Sequence, residues 1–433
     1  MARFIIRGQK RLSGAYQPVG NKNAVLPMLA ASILTDEPVT LHNVPEILDV
    51  EVMLDLLASL GVSIERSDRS VTLCAAKIRS RNLDRDLCAR VRSSILLAGP
   101  LTARHGRAIL FPPGGDVIGR RRLDTHFYGL RALGISVEGG RFYTFRRKAL
   151  RGSAILLDEA SVTATENILM AASLADGETT IFNAACEPHV HDLGLLLGKM
   201  GAQIEGLGTN CLKVRGAQKL RGAEHTVGPD HIEIGSFLAA AAATHGEVTI
   251  EHAQPAFEKA APELSSLAVI ERSFGKMGVS WTSEKGTVVL PQRQKLRIQH
   301  DVGRAIPKIE DGAWPAFPSD LMSVAIVLAT QAKGTILFFE KMFESRMYFV
   351  DRLIEMGAHI IQCDPHRVLA SGPCRLHGTH LTTPDIRAGM SLLVAALCAK
   401  GESVIENAQV IDRGYEQIDE KLRALGADIA REP

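Results

Sequence analysis

A chain of 433 residues is too long for one small module and sets two or three folded units as the expectation. With 46% hydrophobic and 23% charged residues it can bury sizeable cores, which excludes a disordered polymer. Fifty Lys and Arg against 48 Asp and Glu leave a net charge of +2, without the bulk basic charge of a non-specific nucleic-acid binder. No apolar run reaches the roughly 18 to 20 residues of a membrane span, and a second charge, Arg7, follows Arg3 too soon for a secretory leader. A soluble, cytoplasmic protein is expected. Cysteines 74, 88, 186, 211, 363, 374 and 398 form no C-x-x-C pair and are odd in number, so neither a disulfide framework nor a zinc site is expected.

In chain order, one phrase recurs: a helical tail ending in Leu or Met, then Gly, then a small or β-branched residue opening a short strand. It stands at Gly61, Gly134, Gly201, Gly278, Gly357 and Gly426, at intervals of 67 to 79 residues. Six units of about 70 residues are implied. Upstream of each lies a turn and strand, at residues 37–41, 106–110, 177–181, 246–250, 334–337 and 401–405. Helical periodicity fills the interval, as at Val50 to Leu60, and the glycine suits the left-handed end of that helix. A second, more apolar helix precedes each upstream strand, at 24–34, 93–103, 165–175, 234–244, 321–331 and 390–399, and its uniform Ala and Leu content predicts burial on every face. The repeat alone fits an open solenoid or two closed groups of three.

Four places suggest chemistry. Lys22 and Asn23 open the first apolar helix, where backbone N–H groups and a Lys hold an anion, although a solvated capping Lys is the plainer account. Gly114-Gly115-Asp116, with Gly119 and Arg120-Arg121-Arg122 behind it, describes a mobile loop that carries an acid and paired guanidinium donors for a phosphate or carboxylate. Pro315-Ala316-Phe317-Pro318 stiffens the approach to Asp320, which otherwise reads as an N-cap. Glu344 and Arg346, Asp385 and Arg387, and Asp412 and Arg413 pair acid with arginine at equivalent points of the repeat, as local salt bridges or as parts of an anion site.

Taken together, these residues resemble the enolpyruvyl transferases. The likeness runs from Phe4 to about Ala430 and rests on Lys22-Asn23-Ala24, Pro113-Gly114-Gly115 with Arg121 and Asp124-x-His126, and Ser161-Val162 with Ala164-Thr165-Glu166-Asn167. It continues through Asn183-Ala184-Ala185 with Glu187-Pro188, Pro229-Asp230 with Ile232-Glu233, Asp320, and Ile411-Asp412-Arg413-Gly414-Tyr415-Glu416. The resemblance implies an α/β fold of two inside-out α/β barrels built from the six strand-helix units. Residues 1–21 and 231–433 would form a discontinuous domain with the candidate base, and 22–230 a domain with the Asp116 loop, the ligands lying between them.

The implied reaction transfers the enolpyruvyl group of phosphoenolpyruvate to the 3-hydroxyl of UDP-N-acetylglucosamine in peptidoglycan precursor synthesis, releasing phosphate. By resemblance, Asp320 is the base, Asp116 stands at the acid position, and Lys22 and Arg413 join them as catalytic residues. Lys22, Arg92, Arg121, Arg346, Arg387 and Arg413 hold phosphoenolpyruvate, with Asp385 in support. Asn23, Arg92, Arg121, Asp124, Thr125, His126, Ser161, Val162, Thr163, Asp320 and Met342 face the UDP-sugar. With so many cations no metal or other cofactor is required, and neither nucleic acid, membrane nor an obligate protein partner is implied.

The chain departs from the family pattern at several points. Asp116 replaces the usual Cys, which predicts insensitivity to the thiol-directed epoxide fosfomycin. A proton donor must also be protonated, so gating is the other reading of Asp116. Thr125 replaces an aliphatic residue, Thr163 a Gly, Cys186 and His231 an Arg each, and Glu159 stands where some members have a basic residue. These departures leave two alternatives: an enolpyruvyl transferase with another nucleotide or nucleotide-sugar acceptor, and a catalytically silent nucleotide-sugar-binding protein.

Overall fold

The computed structural model describes residues 2–116, 118–260 and 265–433. The chain divides into two compact units, Met1–Val19 with Val117–Arg120 and Pro229–Pro433, and Gly20–Asp116 with Arg121–Gly228.

Each unit is organised around apolar helices. In the unit containing residues 20–228 these are α1 (Lys22–Ala31), α2 (Ala98–His105, preceded by the 3₁₀ turn Arg92–Leu97) and α3 (Val162–Ala172). The other unit has α4 (His231–Ala243), α5 (Met322–Gln331) and α6 (Ile386–Cys398), which all pack against one another. All thirteen residues of α4 are buried. Such helices need sheet or helix on every side, which explains why Ala and Leu fill all faces rather than one stripe.

Six sheets supply that cover. The first has strand order Ala223–Thr226, Val39–His42, Ser70–Cys74, Ser63–Ser67: a parallel pair extended by an antiparallel hairpin. The same arrangement recurs in four more sheets, while the one built on Arg107–Leu110 has three strands and a single parallel bridge, Asn82 to Ile109, in the fourth place. Besides the return of Ala223–Thr226 to Val39–His42, chain order is broken twice more to complete the set. Ser13–Tyr16 pairs in parallel with Glu247–Ile250, and Arg3–Arg7 lies between Glu402–Glu406 and Asp428–Glu432. The expected inside-out layering is present, but the sheets are open and separate, so no ladder among the described residues closes into a barrel.

The six repeat glycines at 61, 134, 201, 278, 357 and 426 all have φ between 84° and 114°. At Gly134 a β-carbon would also stand 1.9 Å from the Ala149 carbonyl oxygen. Of the inner helices, α1, α3, α4 and α6 begin two to four residues before the apolar period does, because their first turns carry polar residues such as Lys22, Thr163, His231 and Arg387. Lys22, Asn23, Val162, Thr163 and Arg387 among the candidate site residues sit in those early turns. No helix of the described residues is long and apolar enough to cross a membrane, and all seven cysteines are free thiols.

Candidate active site

In the unit with α4 to α6, Asp320 lies in the 3₁₀ turn Ser319–Leu321 ahead of α5, with Pro318 at its N-cap, so Asp320 is not the helix cap that its position suggests. Its two carboxylate oxygens each accept from a different guanidinium: Oδ1 from Arg346 Nη2 at 2.9 Å and Oδ2 from Arg387 Nη2 at 2.8 Å. Both arginine side chains are almost fully buried, at 3% and 5% exposure, whereas Asp320 is 27% exposed. A guanidinium only donates, so this carboxylate acts as an acceptor on both oxygens. Burial works against the Arg387 charge, but Asp320, Tyr415 and Asp230 outweigh it and hold the group more firmly protonated than an ordinary arginine. The guanidinium lies 5.3 Å from the Tyr415 ring centre, and Ser236 shares a 2.9 Å hydrogen bond with the Tyr415 hydroxyl.

Among the described residues, the acid of each local acid–arginine pair has a partner other than the neighbouring guanidinium. Asp385 caps α6 by accepting from the backbone N–H groups of Arg387 and Ala388, leaving the Arg387 side chain for Asp320. Glu344 accepts from the Arg120 backbone N–H while Arg346 turns to Asp320. Asp412 takes both terminal nitrogens of Arg431, at 2.7 and 2.8 Å, and Arg413 ends the turn Ala408–Arg413. Met342 is exposed after the strand Gly334–Phe339. His231, at the start of α4, is buried edge-on to Trp314 with ring centres 6.0 Å apart, and burial lowers its pKa.

In the other unit, Lys22 is not a solvated cap. It is 8% exposed and its Nζ lies 2.7 Å from Asp49, itself buried at the start of the helix Leu48–Leu60, while Asn21 performs the capping by accepting from Ala24 N–H. Asn23 follows in the first turn, half-buried. Arg92 opens the turn before α2 and donates to the backbone carbonyls of Arg121 and Arg122, at 2.7 and 3.3 Å. Burial, then the Arg121 charge, lower its pKa to about 10. Two guanidiniums held together in a poorly solvated place are relieved by an anion, which is the electrostatic mark of a phosphate or carboxylate subsite.

The loop that carries Asp116 leaves this subsite directly. Gly114 N–H donates to the Cys88 carbonyl, and a β-carbon there would meet the Ala89 carbonyl oxygen at 1.7 Å. Gly115 has φ of 105°, and a β-carbon there would meet Arg92 at 3.0 Å and Arg121 Nη1 at 3.5 Å. Beyond Asp116, residues 118–120 group with the first unit, where Ser345 N–H donates to the Ile118 carbonyl.

Asp124, Thr125 and His126 begin the helix Asp124–Ala132. Arg122 is paired with Asp124 at 3.0 Å, and Thr125 donates to Asp158 at 2.8 Å or Glu159 at 3.2 Å. Asn167 Oδ1 accepts from Gly99 N–H at 2.7 Å, which turns its amide nitrogen toward the Ile95 carbonyl and His126 Nδ1. Nδ1 therefore accepts, and the His126 proton resides on Nε2, which donates to Thr163 at 3.1 Å. Burial, then Arg92, push the His126 pKa down to about 3, so the ring stays neutral. Thr125 and Thr163, both departures from the family pattern, are thus tied into hydrogen bonds of this unit. Ser161 and Val162 open α3, with Ser161 N–H bonded to the Glu159 carbonyl. Cys186 is half-buried, and burial followed by Glu187 raises its thiol pKa. Among the described residues no group of three or more His, Cys, Asp or Glu forms a metal cage.

Arg346 and Asp320, from one repeat unit, and Arg387, from the next, are thus brought together. The family model described as EPSP synthase (3-phosphoshikimate 1-carboxyvinyltransferase) matches residues 6–422. The chain belongs to the EPSP synthase family of enolpyruvyl transferases. Within it, the chain is 51% identical to a UDP-N-acetylglucosamine 1-carboxyvinyltransferase of Treponema denticola over 99% of both chains. It is 52% identical to the enzyme of the same name from Bradyrhizobium diazoefficiens, over 99% of this chain and 98% of that one. Among solved structures, the enolpyruvyl transferase NikO from Streptomyces tendae superposes with a TM-score of 0.87 at 25% identity, covering 100% of this chain and 99% of the other. EPSP synthase from Acinetobacter baumannii shares the fold, with a TM-score of 0.75 at 19% identity over the full length of both.

Sequence reasoning missed Asp49, Ser319, Glu340 and Asp311, which stand behind the expected residues. Their types are common and their spacing carries no motif. Ser319, adjacent to Asp320, is the one that proximity to a motif signals.

Proposed function

We propose that this chain transfers the enolpyruvyl group of phosphoenolpyruvate to the 3-hydroxyl of UDP-N-acetylglucosamine, with release of phosphate, in the bacterial cytoplasm as a step of peptidoglycan precursor synthesis. The reading rests on the Asp320 carboxylate held between two buried arginines, in a chain about half identical to enzymes of that name along its whole length. Asp320 takes the proton of the sugar hydroxyl as its oxygen bonds to C2 of phosphoenolpyruvate, and an acid at the Asp116 position protonates the methylene carbon. The resulting tetrahedral adduct loses a proton from that carbon and expels phosphate, which restores the enol ether. Arg346, Arg387 and Arg413, with Lys22, Arg92 and Arg121, hold the phosphate and carboxylate and stabilise their charge. Asn23, Asp124, Thr125, His126, Ser161, Val162, Thr163 and Met342 face the nucleotide-sugar.

The test is phosphate release from phosphoenolpyruvate, measured with UDP-N-acetylglucosamine and a panel of other nucleotides and nucleotide-sugars. Release that depends on UDP-N-acetylglucosamine is the expected result. Release with a different acceptor alone identifies a paralogue, and none with any acceptor identifies a binding protein.

A further inference from the structure

Arg346 is anchored from behind as well as in front. While Nη2 reaches Asp320, Nε donates to the Ser319 hydroxyl at 3.3 Å. That hydroxyl has one proton, and it points to Glu340, whose two carboxyl oxygens lie 3.0 and 2.9 Å away. Glu340 is completely buried at the end of the strand Gly334–Phe339 and also accepts from the Phe343 backbone N–H at 3.1 Å. Phe343 in turn carries the Arg346 guanidinium 5.2 Å from its ring centre. One carboxyl group therefore secures both surfaces against which Arg346 rests.

A second buried acid completes the arrangement. Asp311, also fully buried, accepts from Lys341 N–H through Oδ1, and it acts on the Glu340 carboxyl, raising its pKa. Its Oδ2 meets no N–H or hydroxyl donor among the described residues. Two buried carboxylates that act on each other do not readily ionise together, and a proton on Glu340 relieves the repulsion. Burial, then Asp311, push the Glu340 carboxyl up to about 9. A proton on Glu340 leaves Arg346 directed at Asp320 instead of drawn back toward a second carboxylate.

We propose that Glu340 is a positioning residue for the transfer, acting through Ser319 to fix the Arg346 guanidinium on Asp320. This inference rests on the reading of Asp320 as the base. The chain of contacts is Asp311, Glu340, Ser319, Arg346, Asp320, and none of the first three needs to touch substrate. A misplacement of about 1 Å far from the reacting atoms is enough to reduce turnover up to about a hundredfold.

Steady-state kinetics on the full chain test it, with melting temperature measured alongside. Ser319→Ala is expected to lower kcat about tenfold, with the KM for UDP-N-acetylglucosamine within about twofold of wild type and little change in melting temperature. Glu340→Gln keeps a carbonyl for Ser319 and an amide donor for Asp311, so its kcat should stay within about threefold of wild type. Glu340→Leu, if it folds, should match Ser319→Ala, and the double variant should be no slower than either single one, because the two act in series. Wild-type kcat in Ser319→Ala, or a loss in Glu340→Gln as deep as that in Ser319→Ala, overturns the proposal. An active wild type with unaffected variants removes only this inference. A wild type that releases no phosphate with any acceptor removes the functional reading and this inference together.

Discussion

Asp116 offers a carboxylate where a thiol-directed epoxide requires a sulfur nucleophile, and an oxygen anion is a far weaker partner for alkylation than a thiolate. The wild-type protein is therefore expected to keep full phosphate-release activity after incubation with fosfomycin. Asp116→Cys should become inactivated in a time-dependent manner, with a mass increase equal to one inhibitor molecule. Inactivation of the wild type would place a reactive group other than residue 116 in the site. The backbone around the position is compatible with the exchange, because the close approach to Ala89 is made by Gly114 and the left-handed turn by Gly115, leaving residue 116 without such constraint. Site residues were legible to different depths. Arg346, Arg387 and Asp320 could be picked out because they sit next to turns, prolines and repeat boundaries. Glu340 and Asp49 could not, because a buried acid is recognised by what surrounds it, and those surroundings come from residues 21 to 27 positions away.

At the scale of the element, each helix that ends at a repeat glycine depends on a left-handed residue, and two glycines with the same φ separate conformational cost from steric cost. Gly134 and Gly177 both have φ of 90°, but a β-carbon at Gly134 meets the Ala149 carbonyl oxygen at 1.9 Å while one at Gly177 meets nothing within 4 Å. Gly177→Ala should lose about 1–2 kcal/mol of stability from the conformation alone. Gly134→Ala should lose about 1–3 kcal/mol more, because the strand beginning at Ile135 must shift to clear that carbonyl. Urea unfolding of the two variants checks the difference, and equal losses would show that the Ala149 segment yields freely. The spacing of these glycines made the repeat readable from sequence. It did not show the first turns of the inner helices, since Lys22, Arg387 and their neighbours break the apolar period, and only the capping contacts of Asn21 and Asp385 reveal that the backbone is already helical there.

The whole molecule follows from which strands complete which sheets. The apolar cores separate cleanly, one drawing on residues from Ala24 to Val227 and the other on Phe4, Ile6 and Leu12 together with residues from Ile232 to Ile429. In the first, Ala223–Thr226 returns to pair with Val39–His42, and Asn21 N–H bonds the Gly228 carbonyl at 2.8 Å, so the segment is closed on itself. A fragment of residues 20–228 is therefore expected to fold alone and to unfold in one cooperative transition. Residues 229–433 lack that independence. Without Arg3–Arg7, the strands Glu402–Glu406 and Asp428–Glu432 lose the partner between them, and without Ser13–Tyr16 the strand Glu247–Ile250 gains an open edge. That fragment should aggregate. Register supplies the remedy: Arg3 lies opposite Glu432 in an antiparallel pair, so joining Pro433 to Met1 requires only a hairpin turn. A permuted chain that runs from 229 through 433 and then through 1–19 should be soluble and show a cooperative urea transition. Aggregation of this permutant as severe as that of 229–433 alone would mean that the missing strands are not what the fragment lacks.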